Sequence, residues 1–406
     1  MSSPTPYVCA FRGSRDHYQT PLALAEGGLL DRLITDGYGT PAIRALAGRI
    51  SGRTIDTLAA RHQPGIPDER VQCLWAVSMG EQLRHLAGVS PNRTWLEYDH
   101  YYSDAAAARA RESRANLLLY SPYAWEAFVA KYSHQPKRVL FQYHPHPDTE
   151  RRLLAADAAR FPGDVPIERE LDARPANEEL LQRERDCWQH ADLILCSSQF
   201  TVRSLEEAGC PPERCVIVPY GVDSVDEAPA RGPAAFRALF VGSGSRRKGL
   251  RHLLDAWSRA SLPADSRLTI VSRVVDPGIE DRVARTRGAA LIKGAAPGAL
   301  RQLYRSSSLF VMPSLVEGFG LVYLEALSHG CPVLGTNHTC LPDIGAEKDG
   351  VFITPAGDPD ALAGMLERLA THLAGNDTLR CAARATAARY QWSAFRQSLR
   401  DALHRA

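Results

Sequence analysis

Two glutamates with seven residues between them, Glu317 and Glu325, bracket the turn in Pro313-Ser314-Leu315-Val316-Glu317-Gly318-Phe319-Gly320-Leu321. Residues of these types at this spacing can recognise a phosphorylated, hydroxyl-rich ligand. Gly318 and Gly320 permit positive φ and close backbone approach. A helix opening at Leu321 would aim its unpaired N–H groups and partial positive charge at a phosphate. Glu325 then lies about one and a half turns in, placed for ribose hydroxyls, while Glu317 can reach a sugar on the far phosphate. A second cluster, Gly242-Ser243-Gly244-Ser245-Arg246-Arg247-Lys248-Gly249, is a glycine-rich loop with three cations. Arg247 stands where a dinucleotide fingerprint needs its third glycine, which disfavours a dehydrogenase. Lysine occurs only at 131, 137, 248, 293 and 348. Where lysine persists among arginines, its compact ammonium points to a specific role, here at Lys248 and Lys293.

Two further segments carry chemistry. Leu140–Tyr143 is an apolar run that ends in His144-Pro145-His146-Pro147-Asp148. His-x-His near an acid has the form of a metal pair, but two ligands and a doubtful third make a thin site. Arg12-Gly13-Ser14-Arg15-Asp16-His17-Tyr18-Gln19 follows the first apolar run, and its donors and acceptors suit hydroxyl or phosphate recognition.

The elements that must position these residues follow an α/β pattern, short apolar runs alternating with helix-period segments. Strands are predicted at Tyr7–Phe11, Asn116–Tyr120, Arg138–Tyr143, Asp192–Ser197 and Cys215–Pro219. A second set is predicted at Arg237–Val241, Arg267–Ser272, Ala290–Lys293, Ser308–Met312, Pro332–Thr336 and Gly350–Thr354. Leu250, Leu253, Leu254 and Trp257 mark one apolar helix face. A helix is also predicted over Leu321–His329, capped by Gly330. The polar, Pro/Gly-rich stretch 221–233 reads as a linker. The division expected is 1–220, linker 221–233, a second domain 234–388, and a terminal helix 389–406.

Lys+Arg number 48 against 46 Asp+Glu, for a net charge of +2, which gives no reason to expect nucleic acid as a partner. Nine cysteines without metal-ligand spacing read as small buried hydrophobes in a reducing cytoplasm. No apolar run approaches the ~20 residues that span a bilayer, and the N-terminus has no secretory pattern. The expected setting is cytoplasmic, with peripheral contact at the inner membrane face as an option. For that contact, 41–62 offers Arg44, Arg49, Arg53 and Arg61 among apolar residues, the pattern of a basic amphipathic helix.

The Glu317–Glu325 segment, continued by Ala326-Leu327-Ser328-His329-Gly330-Cys331-Pro332-Val333, resembles the retaining glycosyltransferases of family 4. The resemblance is strong over roughly 190–395 and weak before 115. It implies a GT-B fold: two Rossmann-like α/β domains facing across a cleft, with a C-terminal helix crossing back to the first. It also implies transfer of a hexosyl unit from a UDP- or GDP-sugar to a hydroxyl acceptor, lipid-linked or free, in glycan or glycoside synthesis. Retention and independence of metal or other cofactor come with it. Catalytic roles are carried to His144, Lys248 and Glu317, with His146 as the fallback for His144. Donor binding is carried to Gly242, Ser243, Arg247, Lys293, Gly318, Phe319, Gly320, Leu321 and Glu325. Ser243 stands where the family has an arginine, so Arg246 or Arg247 must supply that charge. The loop at Arg15, Asp16, His17 and Tyr18 lacks the family's Gly-Gly-x-Glu type segment and is assigned to the acceptor. The competing readings are a nucleotide-sugar hydrolase or epimerase of the same fold, and a non-catalytic sugar-nucleotide binder.

Overall fold

The computed structural model describes residues 4–49, 52–89, 91–163, 178–224, 232–373 and 376–405. The chain forms two all-parallel sheets. The first contains β1 (Tyr7–Ala10), β2 (Leu30–Thr35), β3 (Val71–Cys73), β4 (Asn116–Tyr120), β5 (Arg138–Gln142), β6 (Leu193–Cys196) and β7 (Cys215–Ile217), in the order β3-β2-β1-β4-β5-β6-β7. The second contains β8 (Arg237–Val241), β9 (Arg267–Val271), β10 (Ala289–Ile292), β11 (Leu309–Val311), β12 (Val333–Thr336) and β13 (Val351–Thr354), in the order β10-β9-β8-β11-β12-β13. Each order reverses once, between β1 and β4 and between β8 and β11. Loops leaving the carboxyl ends at such reversals are where open α/β sheets take ligands.

The sequence pattern located eleven of these strands and missed β2 and β3. In β2, Asp31 and Arg32 interrupt the apolar run. Asp31 is nevertheless buried, because Arg109 meets it at 2.7 and 3.1 Å. β3 is a three-residue edge strand, too short to show a period. The basic amphipathic helix expected over 41–62 is also corrected. Pro41–Ala47 and Arg53–Ala59 are two separate helices of seven residues. Between them lies Gly48, with 50 and 51 outside the described residues.

The chain crosses between domains twice, and the crossings touch. Val222 N donates to Tyr390 O at 2.9 Å, and Val222 pairs with Gln391 in a parallel bridge. Any side chain at Gly221 would collide with the Gln391 backbone. Most of the expected linker, 225–231, lies outside the described residues. After the second crossing, the helix Trp392–Arg405 lies on the first domain. Arg396 and Arg400 reach Gln19 and Glu26, each at 2.6 Å. Phe395 sits among Phe141, Tyr220 and Trp392, with ring centroids 5.6 to 6.2 Å apart.

Because Phe395 is buried against rings of both crossings and of β5, Phe395→Ala should lower stability by roughly 3–5 kcal/mol, the usual cost of deleting a core aromatic. Denaturant titration measures this, and a loss below ~1 kcal/mol would show that the terminal helix is held by its surface ion pairs instead.

Candidate functional site

The site grows from the reversal between β8 and β11. β8 delivers the chain to Gly242 and then to the single turn Arg246–Lys248. Gly249 follows at φ 69°, where a Cβ would overlap the Pro313 carbonyl after β11. Leu315 N donates to Arg247 O at 2.8 Å, so the two loops are fastened together. This places Lys248 Nζ in a close ion pair with Glu317 Oε2, and Arg247 Nη1 is 3.3 Å from the same oxygen. Glu317 N is anchored on His338 O at 3.0 Å.

Burial alone would raise the Glu317 carboxyl, but Lys248, Arg247 and His144 overcome it and hold the pKa at about 2. Burial, followed by the nearby Arg247, pushes His144 down to about 3. At neutral pH the centre is therefore an ionised Glu317 between two cations, beside a neutral imidazole. His144 Nδ1 is buried without a hydrogen-bond partner, an unmet polar atom next to this cluster.

The opposite wall comes from the first domain. A Cβ at Gly318 would overlap the Tyr143 carbonyl oxygen and lie 3.1 Å from His144 Cα. Gly318 O accepts from Ser198 Oγ at 2.6 Å and from Ser197 Oγ at 3.3 Å. Only glycine allows this approach, which seats the turn on the end of β5. Gly320, at φ 85°, then opens the helix Leu321–Ser328. Gly330, at φ 73°, terminates it, with Cys331 N on Ala326 O at 2.9 Å. The expected boundary at 329 is thus met within one residue. Glu325 accepts from Tyr304 OH at 3.1 Å. Burial raises its pKa, opposed by that hydroxyl and by the charge of His17 from the first domain.

The loop after β1 faces this helix start. Asp16, His17 and Tyr18 follow one another in the left-handed region, at φ 48°, 51° and 60°. Non-glycine residues held there cost about 1–3 kcal/mol each, so surrounding contacts must impose the shape. Asp16 accepts from Tyr120 OH at 2.5 Å. Burial raises the Asp16 pKa against the opposing pull of Arg15 and of the Tyr120 and Tyr220 hydroxyls. The Arg15 guanidinium lies 4.1 Å from the Tyr143 ring centroid and 5.1 Å from that of Tyr120.

The structure sorts the sequence candidates. His144, Arg247, Lys248, Glu317 and Gly318 come together, with Gly320, Leu321 and Glu325 on the adjoining helix. Between the two arginines the geometry decides. Arg246 turns to the buried Asp157 at 3.0 Å, which also takes His252 at 2.8 Å, whereas Arg247 faces Glu317. Ser243 Oγ lies 3.1 Å from Ser245 Oγ within the loop. Phe319 and Tyr18 turn their rings into the core. The Phe319 ring is buried edge-on to Tyr220, and the Tyr18 ring is buried against Phe11 and Tyr38. Lys293 lies outside the cluster, at the end of edge strand β10, and pairs with exposed Glu280 at 2.9 Å. His146, the fallback, caps the helix Pro147–Arg160 and contacts Arg185 O at 3.1 Å. Both of its ring nitrogens are thereby engaged away from the cluster. Missed in the sequence were Ser197, Ser198 and Tyr304. The serines end a predicted strand and could have been flagged by that position, but nothing marks Tyr304.

Comparison with known proteins adds a family to this geometry. Residues 235–372 match the family model described as glycosyl transferases group 1. The chain carries a group 1 glycosyltransferase domain. It is 30% identical over 186 residues to the MMP alpha-(1->4)-mannosyltransferase of Mycolicibacterium hassiacum, covering 44% of this chain and 45% of that one. It thus spans less than half the length of that curated relative. Among solved structures, sucrose-phosphate synthase from Thermosynechococcus elongatus aligns with a TM-score of 0.67 at 18% identity, over 99% of this chain and 98% of its own. HepE of Anabaena, solved with UDP-glucose, aligns at TM-score 0.57 and 14% identity, over 99% and 100%. These full-length alignments establish the GT-B architecture of both domains.

The two shifted groups give a signed pH dependence. Between pH 6.5 and about 3, the unfolded chain protonates His144 and the folded chain does not. Between 4.5 and about 2 the same holds for Glu317. Stability therefore falls as pH falls through both windows. His146, His329 and His338 are held down in the same direction, so His144→Gln should reduce the loss between pH 7 and 5 by up to about 2 kcal/mol without abolishing it. Denaturant midpoints at the two pH values measure this, and an identical loss in variant and parent would contradict the placement of His144.

Proposed function

We propose that the chain is a retaining glycosyltransferase of the family 4 type, moving a hexosyl unit from a nucleoside-diphosphate sugar to a hydroxyl acceptor. The observation that carries this reading is the convergence of Lys248 and Arg247 on Glu317 at the mouth of the Leu321 helix. Two cations and a helix N-terminus on one wall match a diphosphate. The adjoining carboxylates match its two polyhydroxylated ends, Glu317 the sugar and Glu325 the ribose. Neutral His144, with its unmet Nδ1, is placed to meet a hydroxyl of the donor sugar from the other wall.

In the reaction, the bond from the anomeric carbon to the diphosphate oxygen breaks, and the diphosphate departs with the electron pair. Lys248, Arg247 and the N–H groups around Leu321 stabilise the charge that develops, as preorganised donors do in a site screened from water. The acceptor oxygen bonds to the anomeric carbon on the face the diphosphate leaves, and its proton passes to a donor phosphate oxygen. Configuration is thereby retained. The charge of the leaving group is met by protein cations in this scheme, without assigning a part to a metal. The loop at Arg15–His17, facing the helix start, receives the acceptor. The proposed setting is the cytoplasm, with peripheral contact at the inner membrane face as an option.

Lys248→Ala and Glu317→Ala should each lower kcat/KM by ~10²–10³-fold. The assay is turnover of sugar nucleotides by the full chain, with the anomeric configuration of the product read by NMR. Unchanged turnover in both variants, or a product of inverted configuration, would contradict the reading.

A further inference from the structure

The helix Pro147–Arg160 belongs to the first domain, but one of its faces is turned to the loops of the second. Glu150, Leu154 and Asp157 follow at i, i+4 and i+7, the spacing of a single helix face. Glu150 Oε1 lies 3.9 Å from Arg247 Nε. Leu154 packs with Leu315 and Val316 in a small buried cluster. Asp157 is 5% exposed, and its two oxygens are divided between His252 Nε2 at 2.8 Å and Arg246 Nη1 at 3.0 Å. Just past the helix end, the Arg251 guanidinium lies 3.5 Å from the Phe161 ring centroid. Burial would raise the Asp157 carboxyl, but His252 and Arg246 outweigh it and hold it below its ordinary range. The interface therefore contains an ionised carboxylate from the first domain, set on two side chains of the second.

Asp157 holds the neighbour of the groups that face Glu317. Arg246, Arg247 and Lys248 form a single 3-10 turn. At three residues per turn, adjacent side chains point about 120° apart. Which of the three cations face Glu317 is therefore set by the rotation of the turn. The second domain fixes its backbone, since Arg246 N donates to Asp276 Oδ2 at 2.6 Å and Leu315 N donates to Arg247 O at 2.8 Å. The side chain that points away, Arg246, is gripped by Asp157 from across the interface. We propose that Asp157 is a positioning residue of the transfer reaction: from the first domain it holds Arg246 aside, and so aims Arg247 and Lys248 at the donor diphosphate. The donor wall is then complete only while the helix Pro147–Arg160 lies on it. This role rests on the proposed function, because it requires that Lys248 and Arg247 take the diphosphate.

Neutralising Asp157 removes the charge that offsets Arg246 within a buried interface. The turn loses one of its restraints, and a misplacement of about 1 Å near reacting groups costs on the order of 10²-fold. A contact that merely joined the domains would act on stability alone. His252 separates the two roles. It shares Asp157, but it stands on the helix Leu250–Arg259, beyond the turn and its closing Gly249.

The test is the affinity of the full chain for UDP and for GDP, measured by titration calorimetry in Asp157→Asn, Arg246→Gln, His252→Gln and Lys248→Ala. Near-ultraviolet circular dichroism shows which variants are folded. Asp157→Asn keeps the shape of the side chain and should weaken nucleotide binding by ~10-fold or more, as should Arg246→Gln. With a sugar nucleotide the loss should fall on donor KM more than on kcat, because the diphosphate is held before it departs. His252→Gln should lower the melting temperature and leave the affinity near that of the parent. Parent affinity in folded Asp157→Asn, or in Arg246→Gln if Asp157→Asn does not fold, would overturn the positioning role. An equal loss in His252→Gln would also overturn it and reduce the contact to a latch. In either case, weakened binding in Lys248→Ala would leave the proposed function standing. Binding of neither nucleotide by the parent would overturn both.

Discussion

The structure depends on one buried carboxylate. Glu317 enters the interface between two domains ionised, which is tolerable only because Lys248 and Arg247 meet it there and its backbone is fixed to His338. Removing one member of such a cluster leaves another charge uncompensated at low dielectric. The constraint runs outward from this point. Gly249 must bring the β8 loop onto Pro313, and Gly318 must let the turn rest on Tyr143. The β8–β11 reversal must set both loops side by side. A residue with a Cβ at either glycine would separate the cations from the carboxylate or the turn from the first domain.

The same interface links binding to domain arrangement. Ser197 and Ser198 hold Gly318 from one side, and Asp157 holds Arg246 from the same domain. The two crossings of the chain touch at Val222 and Gln391. Any rotation of the domains would turn at this contact and would have to break two polar latches beside the site. Loops that carry function on rigid sheets are expected to move in this way. The strained run Asp16–Tyr18 sits at the junction, held by Tyr120 and by packing of Tyr18 on Tyr38.

Much of this was legible in the sequence where a local pattern had a local cause. Glu317, Glu325 and the glycines between them form a strand–turn–helix unit whose geometry is fixed within a dozen residues. Lys248 and its loop follow the same logic. Legibility failed where tertiary contacts decide. Asp31 and Arg32 hid β2, because the salt bridge to Arg109 that permits burial lies 78 residues away. Nothing local separates Arg246 from Arg247, since the choice is made by Asp157 across the interface. Phe319 and Tyr18 sit in functional segments, yet their rings complete the core. The helix Trp75–Leu86 was not recognised: its buried side chain is Glu81, and the Arg12 that permits this burial lies 69 residues away.

The central claim is that the wall formed by Lys248, Arg247 and the Leu321 helix start holds a diphosphate. A crystal structure of the full chain with UDP or GDP tests it most directly. The account predicts phosphate oxygens within about 2.7–3.2 Å of Lys248 Nζ and of a backbone N–H at Gly320 or Leu321, with ribose hydroxyls on Glu325. A diphosphate bound on the first domain, or bound with Lys248 still closed on Glu317 and touching no phosphate, would contradict it.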